Sequence, residues 1–404
     1  MKILHVLDHS LPYISGYSIR SNYIVECEKK IGITPSVITS PKHITNSDAE
    51  EIINGITYYR TMFSENKLDR FGNKIPFIRE FLLMKCLRKR MFNLLKNNSF
   101  DIIHAHSPSL CGIPALLVAK KYKIPIIYEI RALWEEAAIE SGRFRKNSFK
   151  YQISKFIEKN LFQKVDVITT ICQGLKDNLI QRGIKEDKIF VIPNCVDTSK
   201  FVPQQKDKEL IEKYQLQDKI VLGFIGSFYK FEGLEYLIRA VPNILKEYKD
   251  IKILLIGEGE DKESLKEITQ RIGVKDNIFF IGKISHDQIL KYYSIIDILV
   301  YPRINTPLTN IVTGLKLLEA MSMEKVVVAS DVGGNKELIK DKITGILFKA
   351  EDVEDLSTKL ITIIKDTGLR NQLGKSARND MISNRDWDKT VLKYKDIYIQ
   401  SLKV

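Results

Sequence analysis

The octapeptide GLKLLEAM, residues 314–321, puts Lys316 in the first turn of a predicted helix, with Glu319 three residues on and nearly on the same face. A helix N-terminus carries partial positive charge and N–H groups without intrahelical partners, so a lysine there is mildly unfavourable by itself. A diphosphate reverses that argument. It would take the N–H groups around Thr313, Gly314 and Leu315, and Lys316 beside them then becomes favourable. Glu319, one turn further in, is placed to accept hydrogen bonds from vicinal hydroxyls such as those of a ribose. Arg303, at the end of the apolar run DILVYPR, offers a second cation on an adjacent part of the same loop and helix. The plainer alternative is a surface Lys/Glu pair on an ordinary amphipathic helix, with Arg303 a surface residue.

His104 and His106 alternate along DIIHAHS (101–107) and so share one face of a strand. A metal pair here lacks further ligands at suitable spacing, and neither a metal nor another cofactor is expected. His104, deeper in the strand, reads as a satisfied core residue, whereas His106 ends it. Gly16 follows the first strand, where a residue without Cβ lets backbone approach a phosphate or sugar, or simply makes a turn. Arg20, and Arg131, Trp134 and Glu135 of YEIRALWEE, suit phosphate binding and sugar or lipid packing, or else ordinary salt bridges and packing. The turn IGEGE (256–260) is weak alone. DWD (386–388) has the form of a metal–diphosphate motif, but it stands at a helix start, where aspartate is expected as a cap.

These residues need carriers. Short β-branched runs such as KILHVLD (2–8), TPSVITS (34–40), IPIIYEIR (124–131) and VDVITTI (165–171) alternate with helical patterns. The cycle restarts at KIVLGFIGSF (219–228) and runs through IKILLIGEG, IFFIGKI, IIDILVYPR and KVVVASDVGG. Continuous apolar strands between helices predict α/β architecture with parallel sheets covered on both faces. Two Rossmann-like domains follow, 1–200 and 201–385, joined near the polar DTSKFVPQQKDKE. The last helix, 386–404, is free by its pattern to lie on either domain. Ligands of open parallel sheets bind beyond the strands' carboxyl ends, so the natural site is a cleft between the two domains.

Charge divides unevenly. Residues 1–201 hold 31 Lys and Arg against 20 Asp and Glu, a surplus of 11, while the remainder holds 32 against 30. Much of the surplus lies in 67–98, where basic residues interleave with Phe, Leu, Ile and Met. That composition fits a helix on an anionic membrane surface, or a basic surface helix with one face in the core. Nucleic acid is not an expected partner, because no recognised motif accompanies the charge. No stretch approaches the roughly 18–20 apolar residues of a membrane span. The five scattered cysteines favour a reducing, cytoplasmic setting.

Several loops together resemble the retaining glycosyltransferases of family GT4, which have the GT-B fold. The matching segments include SLPYISGYSIRS, DIIHAHSP, QGLKDNLIQRGIKEDKIFVIPNCVDTSKF, FIGSFYKFEGLEYLIRA, ILLIGEGEDKESL and GLKLLEAMSMEKVVVASDVGGNKELI, in order from about residue 3 to 350. YEIRALWEE and YPRINTPLTNIVTGLKLLEAM resemble a bacterial subgroup associated with cell-surface polysaccharides. The resemblance implies a sugar-nucleotide donor, UDP-linked, held by the second domain, and a glycan or lipid-linked acceptor held by the first at the inner membrane face. It implies a ribose contact for Glu319 and donor-sugar proximity for His106. Glu258 and the loop with Ser227 would lie near the nucleotide. Two departures accompany it. Ile311 stands where the family has a glutamate on the donor sugar, which leaves Asn310 or backbone amides of 309–313 to replace it. Ser227 and Glu232 stand where many members carry an Arg/Lys phosphate clamp, which leaves Arg303 and Lys316 as the compensating cations. A sugar-nucleotide epimerase of related fold and a catalytically silent sugar-nucleotide-binding protein are the alternatives.

Overall fold

The computed structural model describes residues 1–43, 48–62, 78–140, 142, 144–285 and 287–403. The chain divides into two units, Met1–Pro193 with the segment from Trp387 onward, and Asn194–Asp386.

The first unit contains β1 (Lys2–Leu7), α1 (Gly16–Lys30), β2 (Thr34–Thr39), β3 (Glu50–Ile53), β4 (Ile56–Tyr59), α2 (Ile78–Asn97), β5 (Ile102–His106), α3 (Ser109–Tyr122), β6 (Ile126–Ile130), α4 (Trp134–Glu140), α5 (Phe149–Lys164), β7 (Val167–Thr170), α6 (Gln173–Gln181) and β8 (Ile189–Val191). Its strands form one sheet in the order β3-β4-β2-β1-β5-β6-β7-β8. Every pairing is parallel except β3 with β4. That hairpin is absent from the sequence reading. Its two-residue turn is Asn54-Gly55, with φ of 53° and 69°, the left-handed geometry that matches the twist of antiparallel strands. β5 and β6 are buried at every residue, as expected of central strands covered on both faces.

Helix α1 starts at a capping box in which Ser15 and Ser18 satisfy each other's backbone N–H groups. Helix α2 buries Leu83, Leu87, Met91, Leu94 and Leu95, spaced three and four apart, and packs on α3. It is thus a surface helix with one face in the core. Residues 67–77 of the basic segment lie outside the described residues. Among the described residues no helix is long and apolar enough to cross a membrane.

The second unit contains α7 (Lys208–Lys213), β9 (Ile220–Ile225), α8 (Leu234–Glu247), β10 (Ile251–Ile256), α9 (Lys262–Arg271), β11 (Ile278–Gly282), α10 (Ile289–Ile295), β12 (Ile298–Tyr301), α11 (Pro307–Ile311), α12 (Leu315–Ser322), β13 (Val326–Ser330), α13 (Gly333–Lys336), β14 (Ile346–Phe348), α14 (Val353–Lys365) and α15 (Thr367–Asn384). Its parallel sheet runs β11-β10-β9-β12-β13-β14. The chain then returns to the first unit as α16 (Trp387–Ser401), which packs on α1. The stacked rings of Tyr23 and Trp387, 5.8 Å apart, form part of that contact.

Candidate active site

At the carboxyl end of the second unit's sheet, backbone segments approach more closely than any side chain would allow. A Cβ on Gly257, whose φ is +143°, would lie 1.7 Å from the Gly226 carbonyl oxygen. One on Gly334 would lie 2.2 Å from that of Val312. The glycines after β9, β10 and β13 therefore draw these loops together beside α12.

Lys316 and Glu319 meet as the sequence suggests, with Nζ 3.2 and 3.0 Å from the two carboxylate oxygens. Glu319 is mostly buried and also accepts from the Tyr293 hydroxyl at 2.9 Å. The Tyr301 hydroxyl, at the end of β12, donates to the Lys316 carbonyl at 3.2 Å. Burial and the nearby Glu319 carboxylate push both phenols well above their usual range, so they act as neutral donors. Gly314 caps α12 without a side-chain hydrogen bond, and helix geometry leaves the first-turn N–H groups without intrahelical partners.

Arg303 is not an isolated cation. Its Nε and Nη2 donate to the two oxygens of Glu232 at 3.1 and 3.0 Å, a bidentate pair in which each side chain is only 12% exposed. Nη1 donates to the Val312 carbonyl at 3.3 Å, and a Cβ on Gly314 would sit 3.0 Å from Nη2. The guanidinium thus lies against the start of α12. Thr313 is held by Asn194, whose Nδ2 donates to its hydroxyl at 3.0 Å. Ser227 is exposed in the loop after β9, and Glu258 pairs with Lys262 at 2.6 Å. The Asn310 side chain is already engaged: Oδ1 accepts from the Gly333 N–H at 2.8 Å, and Nδ2 donates to Asn305 and Thr306. A sugar contact through that amide has to displace those bonds. Glu232, Tyr293, Tyr301 and Asn194 were missed by sequence reasoning. Glu232 stands out in the sequence as an acid in place of a phosphate clamp and Arg303 as a candidate cation, but their pairing spans 71 residues.

In the first unit Gly16 opens α1 at the surface. The other expected contacts there lie deeper than the sequence suggested. His106 is fully buried, with Nδ1 2.7 Å from Arg131 Nη2 and Nε2 3.1 Å from His5 Nδ1. A direct sugar contact through His106 is closed in this arrangement, because both ring nitrogens are engaged. Arg20 is 2% exposed and donates to Glu129, to the Ile192 and Pro193 carbonyls and to the Tyr394 hydroxyl. Arg131 is likewise buried, bonded to Glu129, the Tyr17 carbonyl and Ser21. Glu135 is buried beneath Arg182. Arg20, Arg131 and Glu135, expected on the acceptor side, are thus buried and held in ion pairs, because a buried charge needs a partner. Trp134 is half-buried, its ring edge-to-face with Phe144.

The buried histidines form a cluster that the sequence did not reveal, because its third member, His5, comes from β1. One proton assignment satisfies nearly all of it. Arg131 donates to His106, His106 to His5, and His5 to Glu28 at 2.8 Å. His104 donates to the Tyr398 hydroxyl at 2.7 Å, and Tyr398 donates to Glu28 at 2.6 Å. Only His104 Nε2 is left unpartnered among these ring nitrogens. A metal ion would have to break the bonds at His5 and His106, so the geometry fits a hydrogen-bonded network better than a metal centre. Burial holds His104 well below its usual range and His106 at about 3, so these two rings are neutral. Burial would raise the Glu129 carboxyl, but Arg20 and Arg131 outweigh it and hold it well below the usual range.

Family models match both units: the Glycosyltransferase Family 4 model over residues 44–200 and the Glycosyl transferases group 1 model over 206–380. An uncharacterized glycosyltransferase of Methanocaldococcus jannaschii is 30% identical over 317 residues, covering 76% of this chain and 77% of that protein. The chain belongs to glycosyltransferase family 4. This GT4 chain is also 26% identical to the Escherichia coli UDP-Gal:alpha-D-GlcNAc-diphosphoundecaprenol alpha-1,3-galactosyltransferase, over 76% of its own length and 78% of the relative's. Its fold is GT-B, shared with sucrose-phosphate synthase of Thermosynechococcus elongatus at a TM-score of 0.78 and 19% identity, covering 99% and 98% of the two chains.

Proposed function

We propose that this GT4 glycosyltransferase moves a sugar from a UDP-linked donor, with retention and without a metal, to a glycan or lipid-linked acceptor of cell-surface polysaccharide or glycoconjugate synthesis. The observation that carries the reading is the charge pairing around the first turn of α12, Lys316 with Glu319 and Arg303 with Glu232. Both cations are held by carboxylates that a nucleotide can replace. Ribose hydroxyls donating to Glu319 release Lys316 toward the diphosphate, which also competes with Glu232 for Arg303. As the bond from the anomeric carbon breaks, its electron pair passes to the departing phosphate oxygen. Lys316, Arg303 and the α12 N–H groups then stabilise the developing charge. In the family the acceptor hydroxyl attacks from the leaving-group face, and its proton can pass to that phosphate oxygen. Two protein cations would do the work a divalent ion does elsewhere. The Escherichia coli relative, named for UDP-Gal and a diphosphoundecaprenol-linked sugar, supports both the nucleotide and the acceptor class. The basic segment 67–98, whose described part is α2, supports work at the inner membrane face.

Incubation with a panel of sugar nucleotides and lipid-linked acceptors, with and without chelator, tests the reading. Acceptor-dependent nucleoside diphosphate release that survives the chelator, with an α-linked product from an α-linked donor, is expected. A β-linked product removes retention, and activity restored only by a divalent ion removes metal independence.

A further inference from the structure

Helix α5 buries Tyr151, Ser154, Glu158, Leu161 and Phe162 on one side. Phe149 and Phe156, one heptad apart, fall within about 20° of each other on the opposite side. They are 79% and 68% exposed, and a burial-driven account gives them no reason to be there. From Arg145 to Lys164 the segment has six cations (Arg145, Lys146, Lys150, Lys155, Lys159 and Lys164) and a single acid, the buried Glu158. Among the described residues none of the six makes an ion pair. By helical angle Lys150 falls on one flank of the phenylalanine ridge and Lys155 and Lys159 on the other. Helix α3 packs on α5, and α2 on α3. These neighbours continue the pattern, with exposed Phe81, Lys85 and Lys89 on α2 and Leu117 and Lys120 on α3.

We propose that the outward face of α5 is a docking surface for an anionic lipid bilayer, with Phe149 and Phe156 entering the headgroup–acyl boundary. The flanking lysines extend their stems upward to the phosphates, the arrangement of helices that lie in a membrane interface. A second copy of the chain is a poor occupant, because a two-fold contact would set this cationic face against itself. The use of the surface in catalysis rests on the lipid-linked acceptor proposed above, but the surface itself does not. It is tested without acceptor, by flotation of the full chain with phosphatidylcholine vesicles and with vesicles that also contain phosphatidylglycerol.

The wild-type chain is expected to float with the anionic vesicles and to be released by high salt. Phe149→Ser/Phe156→Ser should lower partitioning by about tenfold per ring. Lys150→Gln/Lys155→Gln/Lys159→Gln should abolish the preference for phosphatidylglycerol. Phe149, Phe156, Lys150 and Lys159 are exposed, and Lys155 is half-buried over the Tyr151 ring without an ion pair, so the circular dichroism and UDP binding of both variants should match wild type. This separates a failed surface from a failed donor site. Flotation of the serine variant equal to wild type overturns the proposal, as does a wild-type chain that stays at the bottom. Tight binding of a labelled single-stranded RNA without flotation, abolished by the same lysine changes, overturns it in favour of a nucleic-acid face.

Discussion

Lys316 is a lysine at the wrong end of a helix, stabilised by a glutamate one turn away. Lys316→Ala should weaken UDP binding by at least about tenfold, since a hydrogen bond to a charged group contributes about 1.5–3 kcal/mol. Calorimetry on a variant of unchanged circular dichroism checks this, and equal affinity would remove Lys316 from the site. Glu232 makes a different prediction. Replacing it with Gln leaves the Arg303 guanidinium half-sheltered without its counter-charge, so the ligand-free protein should melt lower. A diphosphate can then supply the missing charge. The melting shift produced by UDP should be larger in Glu232→Gln than in wild type, and a smaller shift would show that Glu232 itself assists binding. Lys316 and Glu319 were legible because both lie on one helical turn. The Glu232–Arg303 pair was not, because 71 residues separate the partners and only the sheet brings the loops after β9 and β12 together.

At the scale of elements, α16 fastens the first unit through hydroxyls. Tyr394 donates to Glu129, and Tyr398 links His104 to Glu28. Tyr398→Phe keeps the ring but leaves buried polar atoms of His104 and Glu28 without a partner. It should cost about 1–3 kcal/mol per orphaned group in urea unfolding. A cost near zero would mean that water replaces the hydroxyl. In the second unit, Gly334→Ala drives a Cβ toward the Val312 carbonyl and should destabilise by about 1–3 kcal/mol, read by the same method. The central strands were readable as apolar runs because they are covered on both faces. The β3–β4 hairpin escaped because each strand is only four residues long, although its Asn54-Gly55 turn was a usable signal.

For the molecule as a whole, the buried network sets a pH dependence. His106 is held at about 3 when folded, against an ordinary value of 6.5, so below pH 6.5 the unfolded chain takes up a proton that the folded chain refuses. The stability tied to this ring is complete above pH 6.5 and is lost as pH falls from there toward about 3. Glu129, also depressed, loses stability in the same direction at lower pH. Wild type should therefore lose stability between pH 7 and 5 more steeply than His106→Gln, by up to one proton's worth of slope. Parallel curves from urea titrations at several pH values would show that His106 is not neutral in the folded state.

By itself the amino-acid sequence determined the α/β class, the two-unit plan and the pairing of Lys316 with Glu319 on one turn of α12. Each rests on local information: the period of apolar residues, the ends of strands, and charges one helical turn apart. Tertiary structure alone decided that α16 returns to the first unit, that Arg20, Arg131 and Glu135 are internal, and that His5 joins His104 and His106. The reason is physical. A charged residue's role depends on whether a partner reaches it before water does, and those partners come from strands and helices far apart in the chain.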